Sequence, residues 1–246
     1  MEITAKDWDE YIGRLGRLSA IAKQKVVDYV QKNGLDDVKA LIDYSYLIAT
    51  KYGEGSAALA AAMYDAIAEL SGKYFPPAEV AATATYGDVA KSIQGVLKRS
   101  VNEEMIGAEL YRLVKLAAAD TTLKNTQRDG GQFAWIPRGD TCAYCIALAA
   151  NGWRKVSDDA WKNGHAEHVH SNCDCTYAVR FNQTLDYPFY NPTGYAGIYD
   201  NAAGRGREKI NAIRRMQYQE NKDVINAQKR AAYEKRTEIQ HNNPGV

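Results

Sequence analysis

The stretch HAEHVHSNCDC, residues 165–175, places His165, His168, His170, Cys173 and Cys175 within eleven residues, with two acids among them. The rest of the chain holds one further histidine and two further cysteines. Those cysteines, Cys142 and Cys145, stand in TCAYC with C-x-x-C spacing. That spacing lets two thiolates of one tight turn reach a single ion. A second group of donors a loop's length later is a common zinc arrangement. Zinc takes four sulfur or nitrogen ligands in a tetrahedron. Five strong candidates, Cys142, Cys145, His170, Cys173 and Cys175, compete for four places, with His165 and His168 behind them. If CDC is a strand, Cys173 and Cys175 face the same side, because side chains alternate with period two. An all-cysteine set then leaves His170 beside the ion; a set of three cysteines and one histidine uses His170 and drops one cysteine. A closed set of four leaves no position for water, so the expected cofactor is structural Zn2+.

Other chemistries fit the residues less well. Disulfides need an oxidising compartment, and the charged start MEITAKDWDEYIG has no apolar signal core. HAE and CAYC contain pieces of the zinc deaminase signature, but in reversed order and with Pro137 five residues from Cys142. A small zinc-supported nuclease, with His168 or His170 activating water, is the enzyme alternative. It lacks a second histidine or asparagine at a helical position after a glycine turn. No nucleophile elbow, P-loop or dinucleotide fingerprint occurs.

The elements that must position these residues follow from periodicity. Thr4 and Asp7 form a capping-box-like start, and Trp8, Ile12, Leu15, Leu18, Ile21 and Val26 recur at helical spacing up to Gly34. Further helices are expected from Asp36 to about Lys51, before Gly53 and Gly55, and from Ala57 to about Leu70. Another is expected from Pro77 to about Lys98, and another begins behind Asn102. From NTQRDGGQFAWIP the segments shorten. QFAWI and TYAVRF read as strands, and CAYCIALAA as a turn entering a short helix. DYPFYNPTGYAGIYD reads as an aromatic loop too irregular for a regular element. The expected fold class is α+β, mostly α. An N-terminal helical bundle covers residues 1–124, a small zinc-stabilised α/β subdomain 125–200, and a basic C-terminal helix or tail 201–246.

The aromatics between Tyr177 and Tyr199 read as cover for a subdomain with little core of its own; a partner surface is the other reading. Net charge over the whole chain is +1, yet residues 205–246 alone carry +5. Arg205, Arg207, Lys209, Arg214 and Arg215 form the densest positive run, a solvated helix face or a surface for a polyanion. Its apolar stripe is thin: Ile210, Ile213, Met216 or Gln217, Val224 and Ala227. The most apolar stretch, AALAAAMYDAIAEL, is too short to span a bilayer and carries two acids.

RDGGQFAWIPRGDTCAYCIALAANGW followed by HVHSNCDCTYAVRF resembles the phage minor head protein family, the MuF-like proteins. Pro137, Gly139, Thr141, Cys142, Cys145, Leu148, Ala149 and Gly152 match its first segment, and His170, Cys173 and Cys175 its second. The resemblance covers roughly residues 125–181, about a quarter of the chain. It implies a non-enzymatic virion protein of a tailed phage, made in the host cytoplasm and sited inside the head near the portal vertex. The implied roles are head assembly and packaging or ejection of DNA. The implied partners are the portal protein, the major capsid or scaffolding protein, and packaged DNA through the basic tail, with no membrane in the assembled head. Some relatives are described as maturation proteases, but no Ser/His/Asp or Cys/His nucleophile arrangement supports that here.

Overall fold

A computed structural model describes residues 3–99, 102–138, 141–156, 175–181, 185, 187–227 and 230. Helix α1 spans Ala5–Asn33, and the Thr4–Asp7 capping box starts it as the sequence leads one to expect. Its buried face carries Trp8, Ile12, Leu15, Val26 and Val30. Helix α2 spans Val38–Leu70 without a break. The two helices expected on either side of Gly53 and Gly55 are therefore one. At Gly53 a Cβ would lie 2.9 Å from Thr83 Cγ2, so the glycine permits a close approach rather than ending a helix.

The helix expected to start at Pro77 starts later. α3 spans Tyr86–Leu97 behind a full capping box of Thr85 and Asp88. Residues 73–85 form a strap over α2 and α4. Its N–H groups at Ala78, Glu79 and Ala81 donate to Asp65, Asn125 and Thr121. Asn125 also donates to the Glu79 carbonyl. These contacts offer the strap backbone partners that a helix from Pro77 would have had to supply itself.

Helix α4 spans Glu103–Arg128, capped by Asn102, whose side chain accepts from the N–H groups of Glu104 and Met105. It runs continuously through residue 124 and touches α1, α2, α3 and the sheet, which explains why so much of its circumference is buried. Gly107 lets α1 approach it: a Cβ there would sit 2.7 Å from Val27 Cγ2 and 3.2 Å from the Lys23 carbonyl. Gly107→Val is expected to destabilise the fold by about 1–3 kcal/mol through overpacking. Chemical denaturation reads this as a lower midpoint at unchanged slope.

The strands are as expected in QFAWI and TYAVR, with a third, short partner. β1 is Gln132–Ile136, β2 Arg154–Lys155 and β3 Thr176–Arg180, in the antiparallel order β2-β1-β3. Phe133 pairs with Val179 and Trp135 with Tyr177. Helix α5, Ala143–Ala149, packs on β1. The aromatic segment is not all loop: α6 spans Pro192–Asn201, with Asn191 as N-cap and Pro192 in its first turn. α7 spans Arg207–Glu220, and α5, α6 and α7 pack on one another around Ala143, Ile146, Ala202, Ala212 and Ile213. The expected α+β, mostly α class holds. Among the described residues, no helix is long and apolar enough to cross a membrane.

One core cluster fills the bundle around Val26, Leu41, Ile93, Ile106 and Val114. A second joins α1, α2 and α4 to the sheet and to the residues after it, with Trp8, Tyr64, Leu123, Trp135, Tyr177 and Tyr187 at its centre. The Trp8 ring lies 5.7 Å from Tyr187, edge-on, and stacks at 6.1 Å on Phe189. The late aromatics thus complete a core shared with α1. The partner-surface reading fails for Tyr177, Tyr187 and Tyr190, which are buried.

Between the strap, α3 and α4 lies an open groove of about 600 Å³. Asp120 of α4 lines it, and burial pushes its carboxyl pKa up to about 6. The other ionisable groups of the groove are Asp88, Lys91 and Arg99 from α3 and its end, and Glu109 and Arg112 from α4. An aspartate whose folded pKa lies above its unfolded value of 3.8 binds more protons folded than unfolded between those values. Its contribution to stability therefore falls as pH rises from about 3.8 to about 6. Asp120→Asn is expected to flatten that part of the stability profile and to raise the melting temperature at neutral pH, as thermal melts across pH would read.

Candidate metal centre

The C-x-x-C pair sits on the turn that starts α5. Cys142 is the N-cap residue, in extended conformation at φ −66° and ψ 157°. Its Sγ accepts the backbone N–H of Cys145 at 3.5 Å. One tight turn therefore holds both sulfurs, as the spacing implied. Cys145 is fully buried, whereas Cys142 is partly exposed. Two scaffolds fix the turn. Arg138, just after β1, pairs with Asp9 of α1 at 2.9 Å. From the other side Gln217 of α7 donates through Nε2 to the Thr141 carbonyl at 2.7 Å.

Cys175 immediately precedes β3, whose Thr176 pairs with Ile136 of β1. It is buried in the same cluster as Cys145. Tyr144 and Tyr177 lie beside the sulfurs. Burial, then the neighbouring Cys145 and Cys142, push the Tyr144 phenol up. Burial dominates at Tyr177, with Tyr144, Asp120 and Cys145 adding to it.

The C-x-x-C turn suits half of a tetrahedral site: two sulfurs on one turn, one buried and one at the rim. Among the described residues, no group of three or more His, Cys, Asp or Glu side chains is placed to hold an ion. Cys142, Cys145 and Cys175 thus do not make a three-ligand set by themselves. His170 and Cys173 lie outside the described residues, as do His165 and His168 of the nuclease alternative.

The basic run divides. Arg205, Arg207, Arg214 and Arg215 are exposed. Lys209 turns inward instead: its Nζ donates to the carbonyls of Tyr199 and Asp200 and lies 5.1 Å from the Tyr199 ring centre. A lysine on the last carbonyls of a helix meets the negative end of its dipole, so Lys209 is an α6 cap more than a binding residue. Of the expected apolar stripe, Ile213 is buried but Met216 and Val224 are exposed. Gln217 takes the inward place, which spacing alone left open between it and Met216. It joins the tail to the cysteine turn: Cys142, Arg214, Gln217 and Tyr218 line one groove of about 490 Å³.

Neither a curated protein nor a solved structure matches the chain significantly. The family model described as VG15 protein matches residues 2–202, from the first helix through the end of α6. The chain therefore belongs to the VG15 protein family, a family of viral and phage gene products.

Proposed function

We propose that this VG15 protein is a non-enzymatic minor head protein of a tailed phage, seated inside the head near the portal vertex. The observation that carries the reading is the extent of the family match. It takes in the helical body and the cysteine segment together, residues 2–202, and leaves most of the basic tail outside. The cysteine segment is the part that resembles MuF-like minor head proteins, so the viral family and the motif resemblance fall on the same stretch. In this reading one Zn2+ per chain is held by Cys142 and Cys145 with two of His170, Cys173 and Cys175, and its role is to fold the segment. The body meets the portal protein, and the major capsid or scaffolding protein where heads assemble. The exposed arginines Arg205, Arg207, Arg214 and Arg215 face packaged DNA, a contact that phosphate charge makes salt-sensitive and sequence-independent. Packaging or ejection of DNA is the step such a protein would aid.

Chemical cross-linking of purified heads, read by mass spectrometry, tests the placement. Cross-links from the α1–α4 body to the portal protein are expected. Their absence, with cross-links to the tail tube or none at all, would contradict it. A nicking assay on supercoiled DNA with added divalent metal addresses the enzyme alternative. Cleavage that is lost in His168→Ala or His170→Ala would replace the structural reading with a nuclease.

A further inference from the structure

The groove between the cysteine turn and α7 has fixed walls and a volume of about 490 Å³. Sites for organic ligands run from roughly 300 to 1,000 Å³. Gln217 of α7 ties one wall to the other through the Thr141 carbonyl. Helical turns continue past Glu220: residues 222–227 are helical, and the Ile225 N–H donates to the Asn221 carbonyl. Val224 and Ile225 supply the apolar part of the lining, and Arg214, Gln217, Tyr218 and Asn221 the rest of its helical side. That lining holds one cation, Arg214, and no carboxylate.

Arg207, Asn211, Arg214, Tyr218 and Lys222 follow one another in steps of three and four residues, so they run along one face of the helix. The acids of this stretch are spent or turned away. Glu208 accepts from the Arg205 N–H, and Glu220 and Asp223 fall on the opposite side. Arg214 makes no ion pair among the described residues, and the Tyr218 ring, 40% exposed, makes no ring contact among them. The two stand one helical turn apart, about 6 Å along the axis. A guanidinium fork matches phosphate, and a free aromatic face stacks on any base. The spacing suits a base and the phosphate on its own sugar. A duplex hides its base faces in the stack, so it meets the arginines and not the tyrosine. An acidic peptide likewise uses Arg214 and leaves the Tyr218 face idle.

We propose that this groove seats one unpaired nucleotide of single-stranded DNA, with its base stacked on Tyr218 and its phosphate on the Arg214 guanidinium. Arg207 and Lys222, further along the same stripe and both exposed, take phosphates of the neighbouring nucleotides. The seat rests on the DNA contact of the tail proposed above and deepens it: arginines that face a duplex also frame a place for a strand end or a melted stretch.

The test uses the full-length protein as purified and a fluorescein-labelled oligothymidylate of about ten residues, read by anisotropy. The unlabelled competitors are a hairpin duplex of equal charge, thymidine monophosphate and oligoglutamate. Tyr218→Ala is expected to weaken single-strand binding by roughly tenfold at an unchanged melting temperature, while Tyr218→Phe, which keeps the ring, binds as wild type does. Hairpin affinity is expected to change by less than about twofold in either variant. Arg214→Ala is expected to weaken both forms, and to lower the single-strand slope of log affinity against log salt by about 0.7. Equal single-strand binding by Tyr218→Ala, or an equal loss for strand and hairpin, would overturn the seat and leave the duplex contact of the tail standing. Thymidine monophosphate or oligoglutamate competing as well as the oligomer would also overturn it, with a free-nucleotide or acidic-peptide site in its place. Binding of neither DNA form would overturn the seat and the tail's DNA contact together.

Discussion

Purified protein is expected to carry about one tightly held zinc ion per chain, and Cys145→Ser to lose it. Cys145 is fully buried at the start of α5, and Cys142 stands on the same turn with its sulfur on the Cys145 N–H. In the proposed four-ligand site, losing one thiolate would leave the remaining donors without the ion that pairs them. For isolated zinc-finger peptides the ion contributes about 10–16 kcal/mol to folding. Here the turn is also held by Gln217 and by the Arg138–Asp9 pair, and the bundle has its own core. The expected loss is therefore local. Hydrogen exchange should quicken over residues 141–156 and β3, while the α1–α4 core keeps its protection. Because Cys145→Ser disturbs a buried position in any case, a chelator supplies the discriminating comparison. It is expected to lower the melting temperature of the wild type and to leave that of Cys145→Ser unchanged. Wild-type protein that holds no transition metal, or a variant with an unchanged proteolysis pattern, would remove the structural role of the ion.

Trp8→Ala is expected to cost about 3–5 kcal/mol, as for other buried tryptophans. For a chain of this size that corresponds to a fall in melting temperature of roughly 6–20 °C. Trp8 is 3% exposed and belongs to α1, yet its ring neighbours Tyr187 and Phe189 lie almost 180 residues later. The substitution therefore opens the junction between the first helix and the end of the sheet unit. Proteolysis between residues 181 and 192 is expected to rise with it. Val224→Ser, at a residue 59% exposed on the tail, is the comparison and should stay within about 0.5 kcal/mol of wild type. If Trp8→Ala melts like Val224→Ser, the two regions do not share a core.

Local signals carried the parts of this fold that local chemistry decides. The Thr4–Asp7 box, the Asn102 cap, the two strands and the turn at Cys142 each follow from residues within a few positions of one another. Readings failed where a distant neighbour decides. Gly53 looks like a helix break until Thr83 and Ala117 are beside it. Pro77 resembles a helix start, but Asn125 and Thr121 hold the strap extended until Thr85. For α6 the signal was present in Asn191–Pro192, an N-cap followed by proline, and the density of aromatics obscured it. At the candidate site, the placing of Cys142 and Cys145 on one tight turn was legible from their C-x-x-C spacing. Lys209 counted as a binding cation only because nothing in sequence places the last carbonyls of α6 against it.

Counting this chain in purified phage particles by quantitative mass spectrometry, scaled to the portal protein, decides whether it is a component of the head. As a head protein it is expected at a few to about a dozen copies per particle, retained after nuclease treatment and stringent purification. A chain abundant in infected cells and absent from purified particles would contradict it.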